Sequence, residues 1–161
     1  MLFRSLWLTV EHEEIRPFIS EALDWVDDVR RLPFWQEART GAEVHVEVPF
    51  AVRLSAEERE AGVPSTRSPG ASAPGSPKAQ PSIPTVLRGV IDLAYLAGDG
   101  WRILDYKSDQ IDGLADVDAE LLARYAPQLQ QYLFAWGRVA GGQVSSADLV
   151  ALRARRTIKG V

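Results

Sequence analysis

Two short apolar segments, 86–96 and 101–107, flank Ala97-Gly98-Asp99-Gly100 and constrain this chain more than any other stretch. Val90, Ile91, Leu93 and Tyr95 in the first, and Ile103, Leu104 and Tyr106 in the second, are the branched and aromatic residues that favour β-strands. An Asp-Gly step between such runs predicts a hairpin. The hairpin carries charge where an apolar strand needs none: Asp92 on one arm, Asp105 and Lys107 on the other. Side chains two apart on a strand point to the same side, so Asp105 and Lys107 sit together, and strand pairing would bring Asp92 to them. Charges in a largely apolar sheet are costly unless something uses them. A divalent cation is the natural partner of the two carboxylates.

The surrounding pattern places this hairpin in a larger sheet. Ile15, Phe18, Ile19, Leu23, Val26 and Val29 recur at three- and four-residue steps, predicting an amphipathic helix over 13–31 that Pro33 ends. Residues 34–40 read as a short connection or helical turn closed by Gly41. From 42 to 54, Val44, Val46, Val48, Phe50, Val52 and Leu54 alternate with Glu43, His45, Glu47, Pro49, Ala51 and Arg53. That is a half-buried strand, and Pro49 implies an edge or a bend. Residues 56–84 are rich in Pro, Ser, Gly and Ala and cannot build a core, so they read as a flexible insertion. After a polar loop over 108–118, Leu122, Tyr125, Leu129, Tyr132, Leu133, Trp136 and Val139 form the stripe of a helix over 120–139. Pro127 is expected at the first turn of its main part, and Gly141-Gly142 stops it. Residues 149–158 read as a final strand. The order predicts one α/β domain over 1–161 with a mixed sheet flanked by helices.

Composition narrows the function. The chain has no cysteine, which excludes disulfides and thiolate-bound metal. It has no long apolar run that would cross a membrane, and its N-terminus lacks a basic flank and a cleavage site, so the expected location is the cytoplasm. A net charge of −4 argues against a broad basic surface, though not against a local cationic groove. Arg153, Arg155, Arg156 and Lys159 form a basic cluster that would either touch phosphates or decorate a solvated strand edge. Trp25, Trp35, Trp101 and Trp136 read as core. Trp7 and the apolar residues around it read as a surface that docks elsewhere. No Gly-x-x-x-x-Gly-Lys-[Ser/Thr] loop occurs, so ATP hydrolysis of that kind is excluded for this chain.

Glu47, Asp92 and Asp105 fall on three consecutive predicted strands, a hard-oxygen set suited to Mg²⁺ or Mn²⁺. Lys107 beside them would orient a nucleophile or offset phosphate charge, which points to metal-assisted phosphodiester hydrolysis. Four motifs in order, Glu47-Val48-Pro49-Phe50, Gly89-Val90-Ile91-Asp92, Asp105-Tyr106-Lys107 and Gln128-Leu129-Gln130-Gln131-Tyr132, make the chain resemble a PD-(D/E)xK nuclease. The resemblance is to the RecB-like nuclease domain at the C-terminal end of bacterial helicase–nuclease proteins. It implies a restriction-endonuclease-like core and a DNA nuclease, an exonuclease acting on single-stranded ends in double-strand break repair, partnered by a helicase region or a helicase subunit. It also implies roles: Asp92, Asp105 and the Tyr106 backbone carbonyl as metal ligands, Lys107 as the catalytic lysine, Glu47 as an accessory acid, and Gln128 and Tyr132 on one helix face holding DNA. Such domains carry a further metal-ligand histidine on an upstream helix. The histidines here are His12 and His45; His12 reads as a solvated helix-start residue and His45 as a half-exposed strand residue. The expectation is therefore of a chain without the family's N-terminal helical part. The rival expectations are a nuclease-like module that binds DNA or a partner without cutting, and a structural domain that docks a protein.

Overall fold

The computed structural model describes residues 12–60 and 85–161. Trp7, the apolar N-terminal run and the bulk of the Pro/Ser-rich insertion lie outside the described residues. Along the chain come α1 (His12–Val29), α2 (Pro33–Thr40), β1 (Val44–Leu54), α3 (Ala56–Glu60), β2 (Thr85–Ala97), β3 (Gly100–Lys107), α4 (Val117–Val139), β4 (Val144–Ala151) and β5 (Arg156–Ile158). The strands form one five-stranded sheet in sequence order. All neighbours are antiparallel except β3 and β4, which run parallel. A parallel step needs a crossover, and α4 supplies it. The result is the α/β, restriction-endonuclease-like architecture expected, with a mixed central sheet between helices.

Each face of the sheet has its own core. Against α4 lie Ile91, Ala94, Ile103, Leu149 and the helix residues Leu121, Leu129 and Ala135, all almost inaccessible. Against α2 lie Leu93, Tyr95, Leu104 and Val150, packed on Phe34 and Ala38. Local chemistry fixes the ends. Asp116 caps α4 by accepting the Ala119 N–H at 3.1 Å. Ser55 and Glu58 form a reciprocal capping box at the start of α3, and Glu58 then pairs with Arg138 of α4 at 2.5 Å. Gly100, at φ 131°, leaves the hairpin turn where a Cβ would meet the Gln143 carbonyl oxygen at 2.7 Å. At Gly89 the constraint is room. A Cβ there would lie 2.7 Å from the Phe50 ring. Gly89→Ala is therefore expected to lower stability by about 2 kcal/mol through overpacking, read as a fall in melting temperature.

Several elements depart from expectation. Pro33 starts α2, at its first turn, as well as following α1. Pro127 lies well inside a single unbroken α4 instead of opening it; the packing of the apolar stripe on the sheet outweighs the missing N–H. The predicted final strand is a parallel strand, β4, and a short antiparallel return, β5, joined by a turn in which Arg155 takes φ 55°. The first residues of the predicted insertion form α3. Pro49 does mark an edge, since β1 is outermost. The apolar stripe of α1 faces outward, with Phe18 70% and Leu23 61% exposed. The helix is instead tied by charge, Glu21 to Arg153 at 2.9 Å and Asp28 to Arg155 at 3.2 Å, with the Arg153 guanidinium over the Trp25 ring. Trp101 and Trp136 are core, whereas Trp25 and Trp35 are half-buried. Among the described residues no helix is long and apolar enough to cross a membrane.

Candidate active site

The site forms where the alternation of two strands reverses. Towards the hairpin turn, Leu93 and Tyr95 of β2 face the α2 core while Ala94 faces α4. On the other side of Asp92 the parity inverts, and Leu87 and Ile91 face α4. β1 inverts opposite the same point. His45 lies against Trp101 and Trp136, beneath α4, yet Val48, Phe50, Val52 and Leu54 also face α4. Glu47, between them, has φ 50°, a left-handed backbone that costs a side-chain-bearing residue free energy. The strict alternation predicted for β1 thus fails at Glu47, leaving Val44 and Val46 exposed. Because both strands reverse together, the register runs through unbroken, Val46 opposite Leu93 and Val48 opposite Ile91.

At this reversal β2 also parts from β3. Their pairing ends at Leu93 and Leu104. Asp92 and Asp105 are therefore the first opposed positions beyond the ladder, where the fork opens. The Asp92 carboxylate fills the gap, accepting the Tyr106 backbone N–H at 2.8 Å. Asp105 and Lys107 continue the α4 face of β3, beyond Trp101 and Ile103. The Lys107 ammonium lies 2.5 Å from Asp105 Oδ2. It donates a hydrogen bond to Gln128 Oε1 at 3.0 Å, and Gln128 Nε2 donates to the Tyr132 hydroxyl at 2.6 Å. The Tyr132 hydroxyl in turn favours the ionised form of Asp105. Asp105, Lys107, Gln128 and Tyr132 make one cluster, and Asp92 joins it through the Tyr106 N–H.

Asp105 is 2% exposed. Burial raises its carboxyl above the usual carboxylate range, and the Asp92 charge adds to this, while Lys107 and Tyr132 pull the other way. Tyr132 is pushed up to about 12 by burial and by the Asp105 charge. The ring of Tyr106 turns into the opposite core beside Phe34, and burial with the Asp92 charge pushes its hydroxyl up to about 12.

The donor set fits a hard divalent cation. Asp105 Oδ2 is buried and receives no aligned hydrogen bond, the ammonium contact being one of charge alone. An orphaned buried carboxylate oxygen beside a second carboxylate is the chemistry that Mg²⁺ uses, since it binds through one or two carboxylates and completes its shell with water and phosphate. Among the described residues no three of His, Cys, Asp and Glu converge. Glu47 is exposed and stays outside the connected cluster, and His45 is occupied by the two tryptophans, with Glu43 at 3.5 Å. The side chain of His12 lies outside the described residues. The basic cluster is taken up in ion pairs: Arg153 with Glu21, Arg155 with Asp28, Arg156 with Asp118 and Lys159 with Asp148.

Sequence reasoning passed over Tyr125 and Asp109. Tyr125 precedes Gln128 by three residues and Tyr132 by seven, so all three share a helix face. That spacing was the available signal, but it reads equally as part of the apolar stripe.

An α/β sheet that forks at an aspartate, with an Asp-x-Lys on the neighbouring strand and a polar helix face above it, defines a restriction-endonuclease-like enzyme core. The chain belongs to the PD-(D/E)XK nuclease superfamily, whose family model matches residues 2–160. Members of that superfamily generally use divalent metal ions. The chain is also similar to the A-type subunit of the ATP-dependent helicase/nuclease of Oceanobacillus iheyensis, 34% identical over 95 residues, or 58% of this chain. It is similar to the protein of the same name from Carboxydothermus hydrogenoformans, 35% identical over 74 residues, or 46% of this chain. The matched stretch amounts to 6% of the length of either relative.

Proposed function

We propose that the chain is a Mg²⁺-dependent deoxyribonuclease domain, with Mn²⁺ as a substitute ion, that hydrolyses DNA phosphodiester bonds. The observation that carries the reading is the buried, orphaned Asp105 oxygen held between Asp92 and Lys107 at the sheet fork. Asp92, Asp105 and the Tyr106 carbonyl would hold the cation. When bound, such an ion supplies activation of water and neutralisation of phosphate charge. Lys107 positions the attacking water and offsets the charge that develops on the phosphate. Gln128 and Tyr132 hold the DNA strand, and Glu47 serves as an accessory acid at the mouth of the fork. The substrate is DNA with single-stranded ends, cut as an exonuclease in double-strand break repair. The name that both relatives share supplies the helicase context: the motor would be another region or a separate protein, since this chain has no phosphate loop of the Walker type.

The test is cleavage of end-labelled single-stranded DNA by purified protein with Mg²⁺, Mn²⁺ or EDTA. Metal-dependent cutting that EDTA stops is the expected outcome. A second reading, a nuclease-like module that binds DNA without cutting, draws on the convergence of only two carboxylates among the described residues and on the ammonium held against one of them. Tight DNA binding by the folded chain with no cutting under either ion would replace the first reading with the second.

A further inference from the structure

Tyr125 and Asp109 are absent from the roles set out above, yet they adjoin Lys107. The Lys107 ammonium lies over the Tyr125 ring, 4.2 Å from its centroid. The Tyr125 hydroxyl donates to both oxygens of Asp109, at 2.8 and 2.9 Å. Arg124 closes on the same carboxylate at 2.5 Å. Asp109 follows Lys107 by two residues, in the loop leaving β3. The helix and the strand end are therefore laced together around the lysine. Lys107 has three restraints of different kinds: the Asp105 charge, the Gln128 amide oxygen and the Tyr125 π-face. A lysine has four rotatable bonds in its stem, and ordering it costs conformational entropy. A ring face attracts an ammonium without competing for its protons. The ring thus leaves free the Lys107 donor that Gln128 and Asp105 do not occupy, which a further carboxylate would have claimed.

The anchoring of the ring is as specific as its position. Burial pushes the Asp109 carboxyl up, but the hydrogen bonds from Tyr125 and Arg124 outweigh it and hold it below the usual carboxylate range. The tyrosine hydroxyl is raised by burial and by its bond to Asp109, so it remains a protonated donor at neutral pH. We infer that Tyr125, locked by Asp109, is a positioning residue that holds the Lys107 ammonium by its ring face in the orientation the hydrolysis requires. The functional part of this inference rests on the nuclease reading, while the geometric part does not.

The experiment compares wild type, Tyr125→Phe and Tyr125→Leu in two readouts. The first is the Cε–Hε NMR signal of Lys107, one of three lysines in the chain. Ring currents shift this signal upfield in wild type and in Tyr125→Phe, and the shift is lost in Tyr125→Leu. An unshifted Lys107 in a folded wild type overturns the positioning whatever the activity. The second is DNA cleavage in Mg²⁺ beside DNA binding in Ca²⁺. Tyr125→Leu is expected to lose roughly tenfold in kcat with DNA affinity unchanged, and Tyr125→Phe, which keeps the ring face but loses the Asp109 lock, to fall between it and wild type. Equal kcat in all three variants, with Lys107→Ala inactive, overturns the role of Tyr125 and leaves the nuclease intact. A folded wild type that cuts nothing, with the ring-current pattern present, removes the nuclease reading and retains the clamp.

Discussion

Asp105→Asn is expected to give a folded protein that cuts no DNA and whose melting temperature gains on the parent's as pH rises. Unfolded, an aspartate titrates near the ordinary value of about 3.9. Folded, burial raises Asp105 above it. The folded chain thus holds this proton more tightly than the unfolded chain does. The stability it contributes is complete below the unfolded pKa and is lost as pH rises through the raised value. The amide of the variant does not titrate, so the variant escapes that loss. Cleavage should move the other way with pH. Metal binding needs the carboxylate ionised, so activity rises with pH over the same window in which this group's contribution to stability declines. Loss of a metal ligand removes several kcal/mol of transition-state stabilisation, about a thousandfold or more in rate. Calorimetric melts at acid and neutral pH beside a cleavage assay check both halves. A melting difference between variant and parent that is the same at acid and neutral pH would refute the raised carboxyl.

Lys107→Ala should fail in both respects. The ammonium side chain is 15% exposed and is the counter-charge nearest to Asp105. Removing one partner of a buried pair costs about 3–5 kcal/mol, and the partial exposure of Lys107 brings the expectation to about 2 kcal/mol. Cleavage should fall to background, since the group that positions water is gone. The two substitutions should not add. In the double variant Asp105→Asn/Lys107→Ala the charge that needed the lysine is absent, so the second change costs little. A double-mutant cycle by denaturant unfolding should give a coupling of at least about 1 kcal/mol. Strict additivity would mean that the two side chains do not stabilise each other in the folded state.

The sequence revealed the cluster more readily than its architecture. Asp105 and Lys107 are neighbours on one strand, and period-two spacing is a local property that pairing cannot alter. Gln128 and Tyr132 meet through helical spacing in the same way. Asp92 comes near Asp105 because the two strands pair, as expected, but nothing in a run of apolar residues tells that the pairing stops one residue short of them. The reversal at Glu47 was equally hidden. Six consecutive alternating positions predicted one continuous face, and a single left-handed residue turned two of them, Val44 and Val46, outward. Tertiary context also decided the fate of the α1 stripe and of Pro127. A periodic pattern gives the face a helix would bury, and not whether anything lies there to receive it.

The mirrored inversion of β1 and β2 has a mechanical sense. One pair of strands serves two separately packed cores: Leu87 and Ile91 face α4 on one side of Asp92, while on the other Leu93 and Tyr95 face α2 and Ala94 faces α4. Close-packed cores behave as stiff bodies. Tyr106 is the tie between them, since its ring seats in the α2 core while its backbone N–H holds the Asp92 carboxylate. Packing on the face away from α4 thereby reaches a carboxylate that it does not touch.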